Sequence, residues 1–259
     1  MYGYQDYRGP AILRHKYSAS DNETQNNEES SSEYDEELDP LRPGIWMEGD
    51  SLAPPCGCDL NSIESLLDLA SVDSNDVLYD LGCGDGRICF EALCRRHCRQ
   101  CVGVEIEDEL VERFQQLAQE TLQVYQPVED AIFKDSVEIL DLNCQNKGPD
   151  KSQLFQRVVV VPDDLQKVLS ALVENMLVGP QQQDLISYRS PNDTDIHILP
   201  PTVIIIFLLP EAIQQIESNL VQMLKLNKRL RLVCNTWGLK TIEPVATAEN
   251  AFLYMGDCK

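Results

Sequence analysis

The chain has 259 residues, 43% of them hydrophobic, a formal net charge of −22 and 10 cysteines. That length accommodates one α/β domain of about 200 residues plus a tail. A surface this acidic repels phosphate backbones and anionic membranes, so the expected partner is a basic protein, with no nucleic acid and no membrane.

The sequence opens without a basic region followed by an apolar run. Its most apolar window, Val203–Leu209, is seven residues long, where a membrane-spanning helix needs about 20. The expectation is a soluble, cytoplasmic protein with reduced cysteines. Cys56 and Cys58 form a C-x-C, and Cys94, Cys98 and Cys101 follow with His97 among them. This spacing departs from paired C-x2-C knuckles, and no metal is expected.

Residues 19–41 carry nine acidic side chains and no basic one. Such a segment buries too little apolar surface to offset its chain entropy, so 1–45 is expected to be a disordered acidic tail and 46–259 the folded domain. Asn61-Ser-Ile-Glu64 has the form of a capping box, and Ile63, Leu66, Leu67 and Ala70 recur at helical spacing. A strand is predicted over 76–80, then a glycine turn, then a helix to about Cys94. Cys101–Ile106 reads as a second strand, 108–124 as a helix, and Ala131–Phe133 as a third strand. Alternation of this kind builds a parallel sheet with helices on both faces.

Residues 143–201 interrupt the rhythm and are expected to be an insert. They hold a strand-like run, Val158–Val161, and a helix beginning near Asp163, then a polar loop, 181–201. Thr202–Leu209 is apolar throughout, as a buried parallel strand should be. Glu211–Lys225 has a helical pattern, and Arg229–Asn235 is another strand. Thr241–Ala246 and Ala251–Met255 read as an antiparallel hairpin at one sheet edge.

The chemistry gathers at Asp80-Leu-Gly82-Cys83-Gly84-Asp85-Gly86-Arg87, between a strand and a helix. A tight strand-to-helix turn needs glycine where the backbone takes unusual dihedrals or approaches a ligand. Glu105 follows Gly86 by 19 residues, at the end of the second strand, where a carboxylate accepts from both ribose hydroxyls. The glycines run G-x-G-x-G, not the G-x-G-x-x-G of a nicotinamide site, and no G-K-[ST] is present. Asp80 and Asp85 beside a pyrophosphate would repel it. Beside S-adenosylmethionine, which carries a sulfonium and an ammonium and no phosphate, they attract. The reading is a site for that cofactor, extending to Ile106 beside Glu105.

With these motifs the chain resembles the class I methyltransferases over about 54–142 and 202–256. It is most similar to the small lysine methyltransferases that modify adenine nucleotide translocase and the ATP synthase c-subunit, and to their bacterial relatives. The matching segments are Pro54-Pro55, Asp80–Ile88, Gly103–Glu105 and Ile204–Glu211. The resemblance implies a Rossmann-like, doubly wound, mostly parallel seven-stranded sheet with an antiparallel C-terminal hairpin strand. It implies that Asp80 and the glycines hold the methionine part, Glu105 the ribose, and that Asp135-Ser136 lies near the adenine. The proline segment continues Cys56-Gly57, unlike the family pattern, and the span 143–201 has no counterpart there.

The loop after the fourth strand, Phe207-Leu-Leu-Pro210-Glu211, lacks the Asn/Asp-Pro-Pro-aromatic signature of enzymes that methylate base amino groups. Glu211 either steers a cationic amine or complements the dipole of its helix. Trp237, after the next strand, either walls the pocket or packs at its rim. These two are the candidate catalytic residues. The expected activity is methyl transfer to a protein lysine. The alternatives are a small-molecule methyltransferase, whose pocket the insert would build, and a non-catalytic scaffold of the same fold.

Overall fold

A computed structural model describes residues 9–10, 57–124, 157–178, 186–189 and 195–256. The acidic tail, Pro54-Pro55-Cys56, the expected strand 131–133, and Asp135-Ser136 lie outside the described residues.

The first described helix, α1 (Leu60–Leu69), is capped by Asp59, whose Oδ1 accepts from Asn61 N and Ser62 N, both at 3.0 Å. The capping box expected at Asn61–Glu64 is corrected by this. A carboxylate one residue ahead of the helix takes the free N–H groups, which places Asn61 inside the first turn. Glu64 faces outward instead, accepting from Arg95 at 3.2 Å and Arg96 at 2.6 Å.

The chain then runs through β1 (Val77–Leu81), α2 (Arg87–Arg96), β2 (Gln100–Glu105), α3 (Asp108–Val124), β3 (Val158–Pro162) and α4 (Leu165–Val178). A separate two-stranded hairpin follows, β4 (Ile186–Arg189) with β5 (Asp195–Ile198). The chain returns through β6 (Val203–Ile206), α5 (Pro210–Leu226), β7 (Arg231–Asn235), β8 (Ala246–Ala248) and β9 (Ala251–Met255).

The main sheet has seven strands in the order β3-β2-β1-β6-β7-β9-β8. β3, β2, β1, β6 and β7 are mutually parallel, and β9 lies antiparallel between β7 and β8. The fold class expected from the sequence is the one observed.

Three details differ from the sequence reading. The place beside β2 is taken by Val158–Pro162, in parallel register from Cys101↔Val158 to Glu105↔Pro162. That run and α4 are therefore part of the sheet and its cover, not of an insert at 143–201. Its four consecutive valines are what a strand covered on both faces requires. The polar loop expected at 181–201 contains the β4–β5 hairpin. The first arm of the C-terminal hairpin is Ala246–Ala248 rather than 241–246, because Glu217 on α5 holds the backbone of Lys240 and Thr241 away from the sheet.

Strand residues alternate between two apolar layers, as a period of two dictates. Leu78, Val203, Ile205 and Val233 pack with α1, α2 and α3, while Tyr79, Leu81, Ile204, Ile206 and Leu232 pack with α4 and α5. Asp80 shares the face of Leu78. Gly103 stands opposite it on β2, so Glu105, two residues on, faces the same side. The sheet reverses its strand order at β1, between β2 and β6, which is where ligands of open α/β sheets bind.

Candidate cofactor site at the carboxyl edge

β1 delivers its chain into a turn with positive φ at Gly82 (78°), Gly84 (54°) and Gly86 (77°). A side chain at such angles strains the backbone. The turn bends over the end of β2, with Gly82 N and Cys83 N donating to Val104 O at 2.9 and 3.1 Å. A Cβ at Gly82 would lie 2.6 Å from Leu208, and one at Gly86 2.2 Å from Phe114, whereas one at Gly84 would meet nothing within 4 Å. The middle of the turn is thus a cradle of bare backbone with open space before it.

Glu105 holds that cradle in shape. Its Oε2 accepts from Gly84 N at 2.8 Å, and its Oε1 accepts from Ile106 N at 2.9 Å and Glu107 N at 3.1 Å. The next side chain, Ile106, is 49% exposed, a large apolar group left bare at the rim.

Asp80 is buried, and its Oδ2 has no hydrogen-bond partner among the described residues. Burial pushes its carboxyl up to about 8, and the nearby Glu105 and Asp85 carboxylates push in the same direction. An unsatisfied buried carboxylate oxygen is costly. Asp80 lies on the same side of the sheet as Glu105.

Asp85 departs from the sequence reading. It does not offer a free charge: Arg87 donates Nε to its Oδ1 at 3.0 Å and a terminal nitrogen to its Oδ2 at 2.8 Å, and both side chains are buried. The same guanidinium reaches Cys58 O at 3.1 Å and lies against Gly57, where a Cβ would stand 2.3 Å from it. Asp85 and Arg87 therefore fasten the turn to the chain before α1. Cys83 is buried, and burial raises its thiol well above the ordinary value, so it stays a thiol at neutral pH.

Across the switch point, Phe207, Leu208 and Leu209 leave the end of β6 half-buried, and Pro210 opens α5. Glu211 is exposed in the first turn of that helix, whose N-cap, Leu209, has no capping side chain. Beyond β7, Trp237 is 38% exposed. Its loop is tied to α5 through Glu217 Oε1, which accepts from Lys240 N at 2.8 Å and from Thr241 N and Oγ1 at 2.7 Å each. The residues that follow β3 are Asp163 and Asp164. Asp164 caps α4 through Gln166 N and Lys167 N, and Asp163 pairs with Lys167 at 3.2 Å.

Asp80, Gly82, Cys83, Gly84, Asp85, Gly86, Glu105 and Ile106 thus meet at one edge of the sheet, with Glu211 and Trp237 on the neighbouring strands' exits. Sequence reasoning assigned no role to Arg87 or Glu217. The i, i+2 spacing of Asp85 and Arg87 was the available signal for the first. Nothing in the sequence marked Glu217, which looks like any helix acid.

Strand order, the antiparallel β9 and the glycine turn after β1 make a Rossmann-like, mostly parallel seven-stranded sheet. No protein-family profile matches the chain. It is similar to a protein-lysine N-methyltransferase of Saccharolobus islandicus, 45% identical over 49 residues, which is 19% of this chain. The chain spans only 30% of that relative's length. Among solved structures it is similar to an RNA methyltransferase from Salinibacter ruber in complex with S-adenosyl-L-homocysteine, with 19% identity, 77% of this chain and 93% of that one covered, and a TM-score of 0.47. It is also similar to a precorrin-6y C5,15-methyltransferase from Geobacter metallireducens, with 12% identity, 73% and 69% covered, and a TM-score of 0.40. Among the described residues no helix is long and apolar enough to cross a membrane.

Proposed function

We propose that the chain is an S-adenosylmethionine-dependent methyltransferase that acts on a protein lysine. The observation that carries the reading is the open cradle at Gly84 beside the unpartnered, buried Asp80 Oδ2. A carboxylate set beside bare backbone suits the ammonium of an amino-acid end, and a turn whose one guanidinium is engaged by Asp85 suits a ligand with no phosphate. The lysine substrate is supported by the Saccharolobus relative and by the acidity of the chain.

Bound S-adenosylmethionine supplies a methyl group on a sulfonium, activated for in-line displacement. Asp80 and the Gly82–Gly86 backbone hold its amino-acid end. Glu105 takes the ribose hydroxyls with the lone pairs its backbone partners leave, and Ile106 covers the adenine. Asp135 and Ser136 remain proposed for the adenine edge. Glu211 draws a lysine ammonium to the exit of β6, and Trp237 limits access from the side of β7. Phe207, Leu208 and Pro210 line that exit and disfavour the charged amine, whose proton passes to solvent as it enters, leaving its lone pair free. The chain's work is alignment and desolvation, and no general base is needed to activate the methyl donor.

The test is transfer from methyl-labelled S-adenosylmethionine in cell lysate. Label on a protein band, recovered after hydrolysis as methyl-lysine, supports the reading. Label confined to small solutes makes the protein a small-molecule methyltransferase. Binding without any transfer would leave only a cofactor-binding scaffold.

A further inference from the structure

β7 leaves the sheet through a turn of an uncommon kind. Trp237 N donates to Asn235 O at 2.8 Å, closing a three-residue ring whose central residue, Thr236, has φ 69°. This is the positive-φ form of the γ-turn, rare and strained, and a β-branched residue is poorly suited to it. Such strain persists where the surroundings over-determine it, and here they do. Thr236 N donates to Asn250 O at 2.7 Å, in the turn between β8 and β9. Leu239 N donates to the Tyr254 hydroxyl at 2.9 Å, and a Cβ at Gly238 would stand 2.4 Å from that oxygen. Glu217 holds Lys240 and Thr241. The loop is pinned on both sides of Trp237, yet the indole itself is 38% exposed. β6 and β7 are parallel neighbours, with Ile206 opposite Cys234, so their exits leave the carboxyl edge side by side. The β6 exit carries the exposed Glu211, and exposed Glu249 precedes Asn250. The loop's own cation, Lys240, directs its ammonium to Gln214 at 3.5 Å. A fixed, exposed indole on an edge with these carboxylates suits a cation that carries apolar carbon: the ring face attracts the charge, and the ring body covers the methylenes.

We propose that Trp237 is the specificity-determining contact for the acceptor. Its ring face receives the alkylammonium of the substrate lysine, and Thr236 is the positioning residue whose turn sets the ring. This role rests on the lysine reading above and deepens it. Recognition then depends on charge and alkyl surface, not on N–H donors, so the ring holds a quaternary ammonium as well as a primary one.

The chain has two tryptophans, Trp46 and Trp237, so Trp46→Phe in the full chain leaves Trp237 as its fluorophore. This protein, saturated with S-adenosylhomocysteine, is titrated with Nα-acetyl-lysine amide, its Nζ-trimethyl form and the neutral Nα-acetyl-norleucine amide. Both cations should change the Trp237 emission saturably, with Kd values within about threefold of each other, and the norleucine amide should leave it unchanged. In variants without the indole, the methyl proton signal of the trimethyl probe reads affinity. Trp237→Ala should weaken binding at least about fivefold, and Trp237→Phe should restore it to within about twofold of the parent. Thr236→Gly accepts the same φ and should keep the affinity within about twofold, whereas Gly238→Ala, whose Cβ meets Tyr254, should lower it with native circular dichroism. Emission that ignores both cations, an equal response to the norleucine amide, or parental affinity in Trp237→Ala overturns this role. Recovery of methyl-lysine in the labelling experiment would then leave the lysine reading standing, and label confined to neutral solutes would overturn both. Failure of S-adenosylhomocysteine to bind overturns the cofactor reading and this role with it.

Discussion

Two aspartates at opposite ends of β1, four residues apart, live in opposite circumstances. Asp76, just before β1, sits at the amino edge of the sheet, where its Oδ1 accepts from Thr202 Oγ1 at 2.7 Å and from Arg231, and its Oδ2 accepts from Asp73 N at 2.8 Å. Arg231 also donates to Ala70 O at 2.7 Å and Ser71 O at 2.9 Å, so β1, β6, β7 and the end of α1 are fastened together by one ion pair. Asp80, near the other end of the strand, is equally buried, yet one of its oxygens has no partner among the described residues. The amino edge spends its donors on closing the fold, and at the carboxyl edge no donor among the described residues meets Asp80 Oδ2.

Arg231→Met strands a buried Asp76 and should cost about 3 kcal/mol, the lower end for breaking such a pair because the guanidinium is partly exposed. Cofactor affinity of the folded protein should not change. Urea melts and calorimetry on the same variant check both. A cost below about 0.5 kcal/mol would make the amino-edge pair as dispensable as a surface one.

Asp80→Asn should act with the opposite sign. The folded carboxyl is pushed from 3.8 to about 8. Below about pH 4 folded and unfolded chains both hold the proton. Between about pH 4 and 8 the unfolded chain has given it up while the folded one still holds it, so native stability falls across that window and levels off above it. An asparagine does not titrate. The variant should therefore gain stability over the parent as pH rises from about 4 to 8, with the gain near zero at pH 4 and largest at pH 8 and above. A variant destabilised at pH 8 would mean that Asp80 serves the fold after all.

Glu105→Ala tests the acid that shapes the turn and is proposed to take the ribose hydroxyls. Losing its charge-assisted hydrogen bonds should weaken S-adenosylhomocysteine binding by about 1–3 kcal/mol, with native circular dichroism. Unchanged affinity would move the ribose partner elsewhere.

How far the sequence revealed this depended on distance along the chain. From β1 to α3, glycines, acids and apolar periods follow one another within a single unit, and their pattern reads directly. Val158–Pro162 does not, because more than 30 residues separate it from α3, and apolar runs at 131–133 and 158–161 compete for the place beside β2. Period tells which residues form a strand, not which neighbour it takes. Asp76 and Arg231 are 155 residues apart, and no local rule joins them. Asp85 and Arg87 are close in sequence, but only the turn's positive φ angles bring their side chains face to face, so a charge expected to meet the ligand is spent within the loop.

The smallest effect concerns Glu211. If it steers the substrate, Glu211→Gln should raise the substrate KM several-fold with cofactor Kd unchanged. As a helix-terminal acid it is worth only about 0.3–1 kcal/mol of stability. A lowered melting temperature with normal KM would assign it to the helix.

The central claim is that the carboxyl edge is built for a phosphate-free adenosyl ligand bearing an ammonium. Calorimetry at pH 8 with S-adenosylhomocysteine and, separately, NAD tests it most directly. The account predicts saturable 1:1 binding of S-adenosylhomocysteine and none of NAD. Tighter binding of NAD would contradict it, because a pyrophosphate would then sit at a turn whose guanidinium is engaged by Asp85 and whose remaining acid, Glu105, repels it.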